Sequence, residues 1–412
     1  MRSLRVINVL YHPPAYRGKT PDERPLYHAE TSGGWVGTQG TEWPDLLGRA
    51  VVELDSEIEY EVWQPDPRAD QPVSWSVTDR LTHTLFPARA TWQLYGLRPQ
   101  RYVWSEELAR RFVRSSANHV MHVNSPFEAL SQRLLGRQAH RPYLLEYHSA
   151  TMDIARAKKR VHRNVAISLL YWRWEQSIRR LGRKMIVYKN SRQIGFLESC
   201  GAIRCEQIPM GCSFSVFRPG SKQEARTKLG FAADVCVLSM ASRLVPLKQI
   251  DRVIEALAKL PVGARYCLVI AGHGDPSYTN HLLEQAGRKL PAGAFRLLGF
   301  LDDAALRSVL QASDLFISAS KAEGGPVTVM NALACETPVM CTRVGGVDDL
   351  LARHSSGILV EPFDYESWVR ELRRVVEGTR PPLLSRSVAY DHFDWSSIAA
   401  RFISLYRQLA VT

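Results

Sequence analysis

The chain has 412 residues, of which 45% are hydrophobic and 23% charged, with seven cysteines and a formal net charge of +12. At roughly 150 residues per domain this length predicts two or three domains with sizeable cores, and the composition excludes a disordered or fibrous chain. The cysteines (200, 205, 212, 236, 267, 335 and 341) are odd in number and form no CxxC pair. That pattern argues against a disulfide framework or a zinc knuckle and for a reducing, cytoplasmic compartment. The apolar run before His12 is only about six residues, short for a signal peptide, and no run of about 18 apolar residues follows. The expectation is a soluble protein, or one attached to a membrane face.

Charge is unevenly spread. Lys and Arg balance Asp and Glu over residues 1–150, exceed them by nine over 151–200, and by three over 201–412. One fifty-residue stretch supplies most of the excess, which points to a local basic surface rather than a general polyanion binder.

In chain order, Leu4 to Leu10 reads as a first strand. Residues 32–42, SGGWVGTQGTE, hold four glycines, among them Gly34 and Gly40, before a predicted helix from Trp43 to Leu54. Such a stretch suits close approach to a phosphate or a plain flexible loop, and it carries no G-x-G-x-x-G or Walker pattern. Glu57 to Trp63 alternates as a strand does. Asp66 to Arg101, rich in Pro and aromatics, resists assignment. Ala117 to Val123 and Tyr143 to Tyr147 are short apolar runs before polar turns, as in parallel strands whose C-terminal ends carry function. The second ends at His148, a candidate site residue or a loop histidine bonded to backbone.

Between Ala155 and Lys184 stand ten Lys or Arg against Glu175 alone, interleaved with Leu169, Leu170, Tyr171, Trp172 and Trp174. A basic helix with interfacial aromatics suits an anionic membrane surface, here through Arg156 to Lys184. The alternative is a surface helix with its aromatics in the core. Nucleic acid is disfavoured, because the aromatics are not spaced as a stacking platform.

Lys184 to Val187 is a further strand, and Ile208 to Pro219 reads as a linker. The second half then alternates regularly. Predicted strands cover 236–240, 266–272, 295–299, 315–318 and 338–341, and predicted helices 250–260, 280–289, 303–312 and 327–334. A last amphipathic helix spans Trp395 to Leu409. This alternation implies a parallel, doubly wound sheet with its ligand site at the strand C-termini.

Three features of the second half carry chemistry. Arg243 and Lys248, five apart after a strand, suit a diphosphate or are two surface cations. Glu323-Gly324-Gly325 sits in a turn before a helix N-terminus, where phosphate binds readily and an acid can accept from sugar hydroxyls. It is otherwise a solvated turn. No D-x-D occurs and no His/Cys/Asp cluster has metal spacing, so a diphosphate leaving group calls for fixed cations rather than Mg²⁺.

Together these residues resemble the retaining glycosyltransferases of family 4, which have the GT-B fold. The motifs are Arg243 with Lys248, Ala271 to Asp275, Leu298-Gly299-Phe300, and Glu323 through Asn331 to Val339, followed by Gly345-Gly346 and the final helix. The likeness is specific over about 175 residues of the second half and looser before it, where His148, Asn190-Ser191 and Ile208-Pro209-Met210-Gly211 match.

The resemblance implies an α/β protein of two doubly wound Rossmann-like domains facing across a cleft. Residues 1–206 would form the acceptor domain and 207–392 the donor domain, with a C-terminal helix (393–412) packed back on the first. The implied function is transfer of a sugar from a nucleotide-diphosphate sugar to a glycan, lipid-linked or small-molecule acceptor, with retention and without metal or cofactor. Arg243 and Lys248 would hold the diphosphate and Glu323 the sugar hydroxyls. Backbone N–H groups of Gly324, Gly325, Val327 and Thr328 would face sugar and phosphates, beside the Gly272 turn. Gly299 and Phe300 would lie near the base, and His148 by the anomeric carbon. Two departures stand out. Asn331 occupies the place of the family's second glutamate, where a neutral amide is a weaker acceptor for ribose hydroxyls, and Glu336 replaces a glycine. Asn331 and the basic helix motivate an alternative, a catalytically weak scaffolding subunit at a membrane.

Overall fold

The computed structural model describes residues 3–10, 43–95, 98–115, 119–125, 129–136, 143–148, 185–199, 204–362 and 364–411. Gly34, Gly40 and the basic block from Arg156 to Lys184 lie outside the described residues. The chain forms two compact units, Met1–Ile208 with Trp395–Thr412, and Pro209–Asp394.

Among the described residues of the first unit are ten strands: β1 (Leu4–Val9), β2 (Ile58–Asp66), β3 (Val73–Thr78), β4 (Leu81–Pro87), β5 (Arg89–Tyr95), β6 (Arg98–Trp104), β7 (Val120–Asn124), β8 (Tyr143–Tyr147), β9 (Met185–Tyr188) and β10 (Arg204–Gln207). Eight make one sheet in the order β10-β9-β8-β7-β1-β2-β4-β3. It is parallel except at its β3–β4 edge, and β5 with β6 forms a separate antiparallel ribbon. Buried on both faces, β7, β8 and β9 read largely as apolar runs, whereas β2 and β4 alternate. On one side Leu108, Phe112, Leu130 and Leu134 of two helices pack against Val9, Met121 and Leu145. Elsewhere the Trp43–Leu54 helix packs along the Trp395–Val411 helix, which buries Ile398, Phe402, Leu405, Tyr406 and Leu409 at helical spacing.

The unassigned stretch from Asp66 to Arg101 thus contains most of four strands. Its pattern misleads because β3 is an edge strand, partly exposed on both faces, and because β4 buries polar groups. His83 is fully buried, with Nδ1 2.8 Å from Asp45 Oδ1 and Nε2 3.1 Å from Gln64 Oε1. Trp75 stacks on its ring at 4.5 Å.

The second unit is one parallel sheet ordered β13-β12-β11-β14-β15-β16, built from β11 (Cys236–Ala241), β12 (Tyr266–Ala271), β13 (Phe295–Gly299), β14 (Leu315–Ser318), β15 (Val339–Thr342) and β16 (Ile358–Val360). Four helices fall where periodicity placed them, at Ile250–Leu257, Pro276–Lys289, Asp303–Ala312 and Val327–Ala334. The second begins four residues earlier than expected. Pro276 suits a first helical position, and the Asp275 carboxylate accepts from Tyr278 N at 2.9 Å. Helices at Lys222–Leu229, Val347–Arg353, Tyr365–Val376 and Arg386–Phe393 were not expected. The expected linker after Ile208 is packed structure instead. Cys212 N donates to Phe393 O at 2.7 Å, and Phe214 N to Asp394 Oδ2 at 3.1 Å. Among the described residues no helix is long and apolar enough to cross a membrane.

Glu336 explains why a glycine would suit its position. Thr337 N donates to Ala332 O at 2.9 Å and Glu336 N to Leu333 O at 3.0 Å, the paired bonds of a helix end whose first outside residue is left-handed. Glu336 takes φ +57° there. Exchanging it for glycine is expected to stabilise the protein by about 1 kcal/mol, read as a higher urea midpoint at unchanged m-value.

Candidate functional site

Open α/β sheets bind ligands where the strand order reverses, at the strand C-termini. In the second unit the chain leaves β11 for β12 and β13, then crosses back to β14 on the other side of β11. The segments following β11 and β14 are those that carry Arg243, Lys248 and Glu323. Lys321 N donates to Leu247 O at 2.9 Å, tying the two together.

At this point Lys248 Nζ forms an ion pair with Glu323 Oε1, both side chains being 15% exposed. Ser320 Oγ donates to the same oxygen at 2.6 Å. Glu323 Oε1 is therefore engaged, whereas among the described residues no donor reaches Oε2. Arg243 is exposed on the same segment as Lys248.

The turn that places Glu323 leaves no room for larger residues. A Cβ on Gly345, at φ +83°, meets Glu323 Cβ at 2.6 Å, and one on Gly325 meets Met210 Cγ at 2.8 Å. The Val327–Ala334 helix begins at Pro326 with no side-chain cap, in contrast to the Ser221, Asp275, Asp302 and Asp364 caps elsewhere in the unit. Its first turn thus presents the positive end of the helix dipole, although Val329 N already donates to Pro326 O at 2.9 Å. Of the expected backbone donors, Val327 N is committed to Gly325 O at 2.9 Å.

The expected Gly272 turn lies beside this segment. Gly272 has φ +146°, a Cβ there would stand 1.9 Å from Ser242 O, and its N–H donates to Gly299 O at 2.6 Å. Beyond β13, Phe300 is 46% exposed, and the His273 ring meets it edge-on at 5.9 Å. Asn331 is buried, and its Oδ1 accepts from Cys212 Sγ at 3.0 Å. The Cys212 thiol is pushed well up, first by burial, and stays protonated as the donor. At position 331 one lone pair of the acceptor oxygen is already used, and the sequence offered no sign of this contact, 119 residues apart.

In the first unit the order reverses between β1 and β7. Asn8 and Asn124 sit side by side there, and His148 follows β8, whose partner is β7. His148 Nε2 lies 2.9 Å from Asn124 Oδ1 and 3.5 Å from Glu146 Oε2, with the Trp43 ring at 4.8 Å. Burial lowers the His148 pKa, partly opposed by the Glu146 charge. Sequence reasoning missed Asn8, Asn124, Glu146 and Lys189. Each was visible only as a polar residue inside or ending an apolar strand. Among the described residues no group of three or more His, Cys, Asp or Glu is arranged to hold a metal ion.

Residues 221–388 match the family model "Glycosyl transferases group 1". The chain is 30% identical over 227 residues to a D-inositol 3-phosphate glycosyltransferase of Mycobacterium marinum, covering 53% of this chain and 48% of the relative. A Mycobacterium bovis counterpart is 29% identical over 235 residues. The chain spans about half the length of these curated relatives. Among solved structures, sucrose-phosphate synthase of Thermosynechococcus elongatus superimposes with a TM-score of 0.71 at 18% identity, over 99% of both chains. HepE of Anabaena, solved with UDP-glucose, gives 0.63 at 16%, over 98% of this chain and 100% of the other. These likenesses show the fold, two Rossmann-like halves of GT-B type.

Proposed function

We propose that the chain is a glycosyltransferase that moves a hexosyl group from a nucleoside-diphosphate sugar to a glycan, lipid-linked or small-molecule acceptor, with retention of configuration. The observation that carries the reading is Glu323 at the switch point of the second sheet, with Oε1 engaged by Lys248 and Ser320 and, among the described residues, no donor on Oε2.

Each group then has a role. The Oε2 lone pairs accept from hydroxyls of the transferred sugar, which fixes it against the uncapped helix. As the glycosidic bond breaks, charge grows on the diphosphate, and Arg243, Lys248 and the helix N-terminus are preorganised to meet it. These cations are part of the protein, so the reading needs no metal. Phe300 offers its exposed face to the base. His148, at the switch point of the first sheet, is read as the first unit's residue that acts on the reacting sugar. A diphosphate oxygen takes the acceptor's proton on the face it leaves, and the same face is attacked.

A thermal-shift screen of UDP-, GDP-, ADP- and dTDP-glucose tests the reading. One of them at a hundred times its Kd is expected to stabilise the fold by about 2.7 kcal/mol, and the same donor to release nucleoside diphosphate on turnover. Absence of both effects with every donor overturns it. Binding without turnover would favour the second reading, a catalytically weak binding subunit, for which the engagement of Asn331 by Cys212 speaks. Flotation with anionic liposomes tests membrane attachment through residues 156–184, and salt-insensitive absence from the lipid fraction sinks it.

A further inference from the structure

Beneath His148 the first unit holds a polar network that the proposed chemistry leaves unused. Glu146 on β8 pairs through Oε1 with Lys189, which follows the neighbouring β9, and both side chains are no more than 2% exposed. His122 Nε2, on β7, stands 2.7 Å from Glu146 Oε2, although neither atom completes a straight hydrogen bond. From His122 the contacts run on: Nδ1 to Tyr406 Oη at 2.9 Å, Tyr406 to Tyr60 Oη at 3.4 Å, and Tyr60 Oη to Asn8 Nδ2 at 2.8 Å. Asn8 Oδ1 accepts from Asn124 Nδ2, closing the path on the residue that meets His148.

The donor direction at the His148 end of this path is determined. Asn124 Nδ2 donates to Val9 O at 3.1 Å and to Asn8 Oδ1. Its Oδ1 must therefore be the atom facing His148 Nε2, and an amide oxygen only accepts. His148 Nε2 consequently carries a proton and donates. The Glu146 carboxylate, 3.5 Å from the same nitrogen, adds attraction without a hydrogen bond of its own.

We propose that Glu146 is a positioning residue, which with Asn124 holds the His148 imidazole Nε2–H inward and leaves Nδ1 as the nitrogen outside the network. The inference rests on the reading that His148 acts in sugar transfer. A purely structural role explains the arrangement less well. A buried ion pair is no more stabilising than well-packed apolar groups, whereas His148, at 17%, is the member of the network that reaches the surface. Burial by itself raises the Glu146 pKa, but Lys189, His148 and His122 outweigh it and hold the carboxyl well below its usual range. The charge facing His148 therefore persists through neutral pH. Among the described residues, the groups facing His148 are Glu146, Lys189, His122, Asn124 and the Trp43 ring.

Nitrogen-15 NMR of labelled histidine, with His148 assigned from a His148→Ala variant, reads the hold without substrate. Wild type is expected to show the Nε2–H tautomer. Glu146→Gln is expected to lower the His148 titration midpoint and mix the tautomers. Should Glu146→Gln alone fail to fold, the paired Glu146→Gln/Lys189→Met variant removes both charges, and the midpoint still falls because Glu146 acts on His148 more strongly than Lys189 does.

In turnover, with whichever of UDP-, GDP-, ADP- or dTDP-glucose releases diphosphate fastest, the folded variant should lose on the order of tenfold in kcat at little-changed donor KM. It should lose nothing further in a His148→Ala background. An unchanged midpoint and tautomer, or equal losses in both backgrounds, overturns the proposal. A fully active His148→Ala protein with the NMR shift intact overturns the role given to His148 and leaves the hold by Glu146 standing.

Discussion

Exchanging Lys248 for alanine is expected to lower kcat by about 10²–10³, the usual effect of removing one preorganised group from developing transition-state charge. Lys248 has two tasks in the proposed reaction. It meets the leaving diphosphate, and its pairing with Glu323 Oε1 aims the carboxylate. Glu323→Gln should lose comparably, because an amide keeps the shape but gives the sugar hydroxyls a weaker acceptor. The two residues touch, so the double variant should lose much less than the product of the single losses. Steady-state release of nucleoside diphosphate measures all three, with circular dichroism confirming the fold. A Lys248→Ala enzyme within twofold of wild type would remove Lys248 from the leaving group's path.

Lys189→Ala is expected to destabilise the protein by about 3–5 kcal/mol, because it strands the Glu146 charge in a site where its carboxyl is 1% exposed. The sign of the pH dependence follows from the direction of the Glu146 shift. In the wild type the folded carboxyl lies below its ordinary value, so its stabilising contribution is present above the usual carboxylate range and fades as pH falls through the folded value. In the variant burial is unopposed by the lysine and pushes Glu146 up, so acid relieves the stranded charge. The gap between the two proteins should therefore narrow from pH 7 to pH 5, and urea melts at both values measure it. A constant gap would mean that Glu146 is not the group left exposed to the cost. Glu146→Gln/Lys189→Met should recover most of the loss.

Much of this fold can be read from the chain because its strands are buried on both faces. Cys267 to Ala271 is an unbroken apolar run and Val237 to Ala241 one interrupted only by Ser239, each followed by a glycine or polar turn, and β12 and β11 lie there. Arg243, Lys248 and Glu323 were legible for the same reason, since each follows a strand that announces itself. What the chain conceals is pairing. Glu146 looks like the polar member of Tyr143–Tyr147, and Lys189 like a cation at a strand end. Only the alignment of β8 beside β9 makes them partners. Asn331 likewise looks unengaged until Cys212, on a segment that reads as a linker, donates to its oxygen. The four strands between Val73 and Trp104 escape because an edge strand and a buried histidine both break the apolar pattern.

The first unit is discontinuous. Its eight-stranded sheet includes Arg204–Gln207, but Tyr406, which His122 and Tyr60 both contact, arrives with the Trp395–Val411 helix. On the ribosome that helix emerges after the whole of Pro209–Asp394. The second unit is continuous, and its ends are joined, since Cys212 pairs with Asp394. Its own sheet is complete before the first unit's last element exists. Domains generally mature in the order of their synthesis, and here the order is inverted. The nascent first half must wait, with the site of Tyr406 and Phe402 uncovered, until the later-made half has been synthesised, and in that interval its exposed apolar surface is open to aggregation.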